Sequence, residues 1–122
     1  MKKLVAILLA VIFVLTLTSC ASAYSSIVEQ LEEKEMSGYF YTESQITALK
    51  DENGIKENIT AFANFSSIDE NENEIYLYIA ELETEEMAES YKNTYAKDFQ
   101  YAIVSDNVVI YGNDSVINDL AL

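Results

Sequence analysis

The densest run of potential ligand atoms in this sequence is Asp69-Glu70-Asn71-Glu72-Asn73. Its Asp-x-Asn-x-Asn spacing reproduces the first half of a calcium-binding EF-hand loop. The second half does not follow. Position six is Glu74, where a glycine is needed for the turn, and position twelve is Ala80, where a glutamate should supply two oxygens. Residues 75–80 also read as a strand, so the stretch is expected to be a solvated hairpin loop, with no metal site. Catalysis lacks its usual parts. The chain has no histidine to activate a serine or thiol, no arginine, and a single cysteine. Paired carboxylates can hydrolyse glycosides, but 21 Asp and Glu residues bring some pairs together by chance. Zinc sites normally draw on histidine or cysteine. The three glycines, at 38, 54 and 112, form no phosphate-cradling loop. These residue types point to a binding domain rather than an enzyme, with no cofactor.

Nine tyrosines are the other chemically distinctive group. Tyr76 and Tyr78 fall on one face of an expected strand, and Tyr91 and Tyr95 on one helical stripe. Tyrosine is enriched at binding surfaces because its ring is apolar and its hydroxyl polar. With no tryptophan and only five phenylalanines in the chain, however, tyrosines are expected to fill much of the core and its edge.

The single cysteine, Cys20, closes an N-terminal pattern. Lys2 and Lys3 precede an apolar run over residues 4–17, and small or polar residues follow at once. This fourteen-residue run falls short of the roughly 20 residues that span a bilayer, which suits the apolar core of a signal peptide. Leu17-Thr18-Ser19-Cys20 resembles the lipobox of bacterial lipoproteins: an aliphatic residue, two small residues, then cysteine. The resemblance implies removal of residues 1–19, a diacylglyceryl group on the Cys20 thiol, and attachment to the outer face of the cell membrane. One acyl chain anchors marginally and two or more hold firmly, at about 0.8 kcal/mol per buried CH₂. Three other readings compete, one of them a structural or catalytic Cys20, which has no second cysteine for a disulfide and no histidine to activate its thiol. Ala21-Ser22-Ala23 allows ordinary cleavage before Tyr24, and an uncleaved run would act as an N-terminal anchor.

Without residues 1–19 the chain keeps 103 residues, 21 acidic side chains and five lysines, a net charge of −16. Such a domain repels phosphate, which argues against nucleic-acid binding, and it repels anionic headgroups too. Residues 20–25 are expected to form the lipidated cysteine and a short tether. Five residues reach at most about 17 Å, so the domain would stand near the membrane without lying flat on it.

Residues 26–122 then read as one α+β domain without internal repeats. Ser26-Ile27-Val28-Glu29 fits a capping box, and Tyr24, Ile27, Val28 and Leu31 recur at helical spacing. This predicts a first helix over 25–37, stopped by Gly38, followed by an aromatic link at Tyr39-Phe40-Tyr41. A second capping box at Thr42-Glu43-Ser44-Gln45 starts a helix over 43–52 that ends at Gly54. Strands are expected over 59–66 and 75–80, although Phe62 spoils the two-face split of the first. Thr84 caps a third helix over 85–98, with Met87, Ala88, Tyr91, Tyr95 and Phe99 on one stripe. Strands over 101–105 and 108–111 flank a tight turn at Asp106-Asn107. In that register Ile103 faces Ile110 while Val104 and Val109 share the other face, so both faces need cover. A short final helix starts at Asp114 or Ser115. The order α-α-β-β-α-β-β-α suggests a four-stranded, mainly antiparallel sheet with the third helix on one face and the first two helices, or a partner, on the other.

The element order and the stretch YAIVSDNVVIYGND resemble small, largely uncharacterised lipoproteins of Gram-positive bacteria, a likeness that brings no activity with it. The expected function is a lipid-anchored, extracytoplasmic binding or accessory domain. The alternative is a protective, inhibitor- or immunity-type module that captures a cationic protein or peptide, with Glu32, Glu33, Glu86 and Glu89 on the outer faces of the first and third helices as candidate contacts.

Overall fold

The computed structural model describes residues 22–122. Cys20 and the signal-peptide pattern lie outside the described residues. Among the described residues no helix is long and apolar enough to cross a membrane.

The chain is α+β and builds one open antiparallel sheet of five strands in the order β1-β2-β3-β5-β4. Helix α1 spans Ala23–Glu33, β1 Ser37–Phe40 and α2 Glu43–Asn53. Strands β2 (Ile59–Ile68) and β3 (Glu74–Leu82) form a hairpin. Helix α3 covers Glu85–Tyr91 and runs on as a π-helical stretch, Lys92–Ala96. Strands β4 (Tyr101–Ser105) and β5 (Val108–Gly112) follow, then a 3-10 turn at Ser115–Asp119. After α3 the chain passes over the sheet to its far edge, and β5 folds back between β3 and β4. The last hairpin has the expected register, Ile103 opposite Ile110 and Val104 opposite Val109. Asp106 takes the positive φ (51°) that the turn requires.

Both sheet faces are covered, and the helices divide differently from expectation. On one face α1 and the 3-10 turn pack Ile27, Leu31 and Ile117 against Ala63, Phe65, Leu77, Ile79 and Ile110. On the other, α2 and α3 together pack Ile46, Ala88 and Tyr91 against Phe62, Ala80, Val109 and Tyr111. Helix α2 therefore shares the layer of α3, not that of α1. Strand β5, central and buried at all five positions, is apolar on both faces, as a doubly covered strand must be.

The fifth strand is β1, which lies where the sequence suggested only an aromatic link. All four of its residues are exposed, so no alternation marks it. Backbone pairing with β2 holds it, Gly38 opposite Phe65. A Cβ on Gly38 would meet the Phe65 ring at 2.6 Å, so this glycine allows a close approach and does not end a helix. The left-handed residue after α1 is Glu35 instead (φ 62°). Helix α1 starts earlier than expected, with Ser22 as its N-cap, so residues 23–25 belong to the helix and not to a tether.

Several local readings hold. Thr42 and Gln45 form the reciprocal capping box: the Thr42 amide donates to Gln45 Oε1 (2.9 Å) and the Gln45 amide to Thr42 Oγ1 (3.3 Å). Gly54 closes α2 in the left-handed region. Thr84 caps α3 and Asp114 caps the last turn, which is 3-10 rather than α. A register shift between Ile59 and Ala61 resolves the awkward pattern of β2. The bulge puts Ile59 and Phe62 on the α2/α3 face, with Ala63 and Phe65 on different faces from Phe62. The chain end is tied back to α1. Gln30 Nε2 donates to the Ala121 carbonyl (2.9 Å), and the Ala121 amide donates to Gln30 Oε1 (2.7 Å).

Candidate functional site

The Asp69–Asn73 stretch forms the β2–β3 loop. Asp69 Oδ1 is already engaged, accepting from the amides of Asn71 (2.8 Å) and Asn73 (2.9 Å). The Asn73 amide, the larger influence, and the Asn71 amide hold this carboxyl below its ordinary pKa. The loop is an Asx-type turn with Glu72 at φ 64°. No group of three or more potential metal ligands is found among the described residues.

The four glutamates singled out from the sequence are all exposed. They are not brought together. Glu32 and Glu33 lie on or at the end of α1, and Glu86 and Glu89 on α3, on opposite outer layers of the molecule. A wider depression of about 930 Å³ beside α2 and the start of β2 is bounded largely by exposed polar side chains such as Glu43, Thr47, Asn58 and Thr60. These groups do not converge on a common point of chemistry.

The tyrosines do converge. Beneath α2 and α3 the sheet carries a cavity of about 320 Å³. Strands β2, β3 and β5 supply Phe62, Tyr78 and Tyr111 from the sheet, α3 with its π-helical continuation supplies Tyr91 and Tyr95, and the bend that follows supplies Phe99. Tyr41, just before α2, closes one side; Leu49, Asn53 and Ile55 complete the lining. The lining contains no charged side chain. Phe62, Tyr91 and Tyr111 are buried and form the floor; Tyr41, Tyr78, Tyr95 and Phe99 are half-buried and form the walls.

Helix geometry explains how three residues spaced by four reach one cavity. A step of four residues overshoots a turn of α-helix by about 40°, so Tyr91, Tyr95 and Phe99 would drift around a regular helix. The wider turn at Lys92–Ala96 counters that drift. Tyr95 is also fastened to the end of α2, its hydroxyl donating to the Gly54 carbonyl (2.9 Å). The π segment therefore shapes the wall and links the two covering helices.

Tyr78 lies nearer parallel to Phe62 (34°, 6.1 Å) and Tyr111 (30°, 5.3 Å), and other ring pairs meet edge to face. Tyr41 meets Phe62 at 65° with centroids 4.7 Å apart, Tyr78 meets Phe99 at 69° and 5.8 Å, and Phe99 meets Tyr111 at 65° and 4.8 Å. These edge-to-face contacts favour a rigid box over a slot with parallel walls. At the floor the Tyr91 and Tyr111 hydroxyls are 2.6 Å apart. Burial pushes the Tyr91 phenol up to about 12. Burial pushes Tyr111 further in the same direction, with Tyr91 adding to it. Burial also raises Tyr78, followed by the nearby Tyr41 phenol. All three hydroxyls thus stay protonated at neutral pH. As neutral phenols they can donate hydrogen bonds.

The sequence had placed Tyr91 and Tyr95 together on α3, and Tyr76 and Tyr78 on one strand face. It did not join the two groups, because that requires knowing that α3 crosses over β3 and β5. Tyr41 and Tyr111 were missed as site residues. No protein-family model, curated protein or solved structure matches the chain, so the reading of the cavity rests on its geometry and chemistry.

Proposed function

We propose that this protein is a lipid-anchored, extracytoplasmic binding domain whose ligand site is the aromatic cavity. The observation that carries the reading is the convergence of seven rings from five chain segments on a volume of about 320 Å³. Apolar walls with a few polar groups are the usual make-up of small-molecule sites, and the volume falls at the low end of their range, roughly 300–1,000 Å³. The phenols, protonated at neutral pH, suit recognition rather than reaction. The chain also lacks histidine and arginine, so the domain is read as a binder and not an enzyme. Attachment to the outer face of the cell membrane rests on the Leu17-Thr18-Ser19-Cys20 motif.

The test is a fragment screen by ligand-observed NMR on the full-length protein in a non-ionic detergent, using neutral, cationic and anionic compounds. Fragments that bind should lose affinity in Tyr78→Leu and Phe99→Leu while the thermal midpoint shows the variants folded. If no fragment of any class responds to these changes, the cavity is not the site.

A second reading, capture of a cationic protein or peptide, draws support from the exposure of Glu32, Glu33, Glu86 and Glu89. Their division between two layers means that a partner docking on one layer meets one pair. Reversal of Glu32 and Glu33 to lysine should then differ in effect from reversal of Glu86 and Glu89. Equal loss of binding from both pairs, or none from either, would count against a single docked face.

A further inference from the structure

We propose that the aromatic cavity takes a small organic cation of the alkylated-ammonium class. The inference rests on the cavity being the ligand site and names the chemistry that this site selects. Three features point the same way. The ring faces of tyrosine and phenylalanine carry negative quadrupole potential and attract a cation within about 6 Å of the ring centre. The lining rings face several directions, from 30–34° for Tyr78 against Tyr111 and Phe62 to 65–69° for Tyr41 against Phe62 and for Phe99 against Tyr111 and Tyr78, and such mixed faces surround a compact, rounded group. The electrostatic surroundings are negative while the lining is neutral. An anion would find no cationic partner in the cavity and would enter against a chain charge of −14.

One group sharpens the last point. Glu57, next to Ile55 and the α2 end, accepts a hydrogen bond from Ser90 Oγ at 2.9 Å through Oε1, while Oε2 is buried without a partner. Its carboxylate acts on Tyr91, where it adds to the rise in the phenol's pKa that burial dominates. An under-compensated negative charge thus stands behind the floor of the cavity. It does not line the cavity and so does not touch the ligand, but it makes the floor more negative for a cation resting on the rings. Burial alone would favour any apolar guest. The negative potential of the ring faces and the Glu57 carboxylate are what distinguish an ammonium ion from its neutral equivalent.

The experiment compares two probes of the same shape, choline and its carbon isostere 3,3-dimethylbutan-1-ol, titrated into the full-length protein in non-ionic detergent and read by tyrosine fluorescence and saturation-transfer NMR. The acid 3,3-dimethylbutanoate is the third arm. Choline should bind at least about 10-fold more tightly than the alcohol, corresponding to about 1.4 kcal/mol, and the acid should bind weakest. Tyr78→Leu and Phe99→Leu should each weaken choline about 5- to 10-fold, whereas Tyr78→Phe, which keeps the ring, should stay within about 3-fold. Glu57→Gln should weaken choline and leave the alcohol unchanged. Equal affinity for choline and alcohol, both lost in Tyr78→Leu, would overturn the cation assignment while leaving the cavity as the ligand site. Tighter binding of the acid would overturn it as well. If choline binding ignores every ring substitution, the assignment fails together with the site.

Discussion

The hydroxyl pair at the cavity floor makes a quantitative demand on stability. Tyr91 is 1% exposed and Tyr111 6%, and their oxygens are 2.6 Å apart. Replacing either with phenylalanine keeps the ring and strands the other hydroxyl. A buried polar group left without a partner costs about 1–3 kcal/mol. Tyr91→Phe strands the Tyr111 hydroxyl, the one that burial shifts further, so it should be the costlier change, at about 2–3 kcal/mol. Tyr111→Phe strands the Tyr91 hydroxyl and should cost about 1–2 kcal/mol. For a domain of this size each kcal/mol lowers Tm by roughly 4–8 °C. The double variant removes donor and acceptor together, and should cost less than the sum of the singles by at least about 1 kcal/mol. Thermal unfolding of the full-length protein in non-ionic detergent, followed by circular dichroism with the three variants side by side, gives the cycle. If the two single effects simply add, the hydroxyls do not depend on each other, and the cavity floor described here is wrong.

Three further outcomes follow from other parts of the molecule. Below pH 10 both floor phenols are protonated in the folded and unfolded chains alike; above it the folded chain retains protons that the unfolded chain has lost, so stability should fall as the pH rises from about 10 through about 12, the value for Tyr91, and denaturant midpoints across that range would show it. A midpoint that stays flat to pH 12 would remove burial as the cause. Ile110→Ala truncates a fully buried side chain in the central strand and should cost about 2–5 kcal/mol, whereas Glu72→Ala in the exposed loop should change stability by less than about 0.5 kcal/mol; chemical denaturation distinguishes them. Cys20→Ala should abolish the diacylglyceryl mass and detergent partitioning of the mature protein, while an unmodified N-terminus at Tyr24 in the unaltered protein would show that the Cys20 thiol is not the anchor.

Much of the fold could be read from local chemistry. Thr42 with Gln45, Thr84, Gly54 and Asp106 act through neighbours within a few residues, and the structure places each in the role its type suggested. The last hairpin was legible because Ile103, Val104, Val109 and Ile110 are apolar on both faces, which defines a strand covered twice. Strand β1 was not legible, because an exposed edge strand held by backbone pairing leaves no periodic signature. Nor was the end of α1, where a glutamate adopts the left-handed turn usually left to glycine. Assigning α2 to the layer of α3 depends on the bulge near Ile59, which decides the face that Phe62 presents. The cavity was half visible. Its aromatic residues stood out by number and spacing, but a core and a cavity draw on the same residue types. Only the crossing of α3 over β3 and β5 separates the two.

The clamp between Gln30 and Ala121 gives the molecule a polarity. It fastens the last residues to α1, so the first and last of the described residues belong to the layer on one side of the sheet. The aromatic cavity belongs to the other. The sheet works as a partition between the two. A tether joined at the start of α1, as proposed for the lipid on Cys20, would leave the cavity side clear, and a fusion at the C-terminus would crowd only the layer of α1.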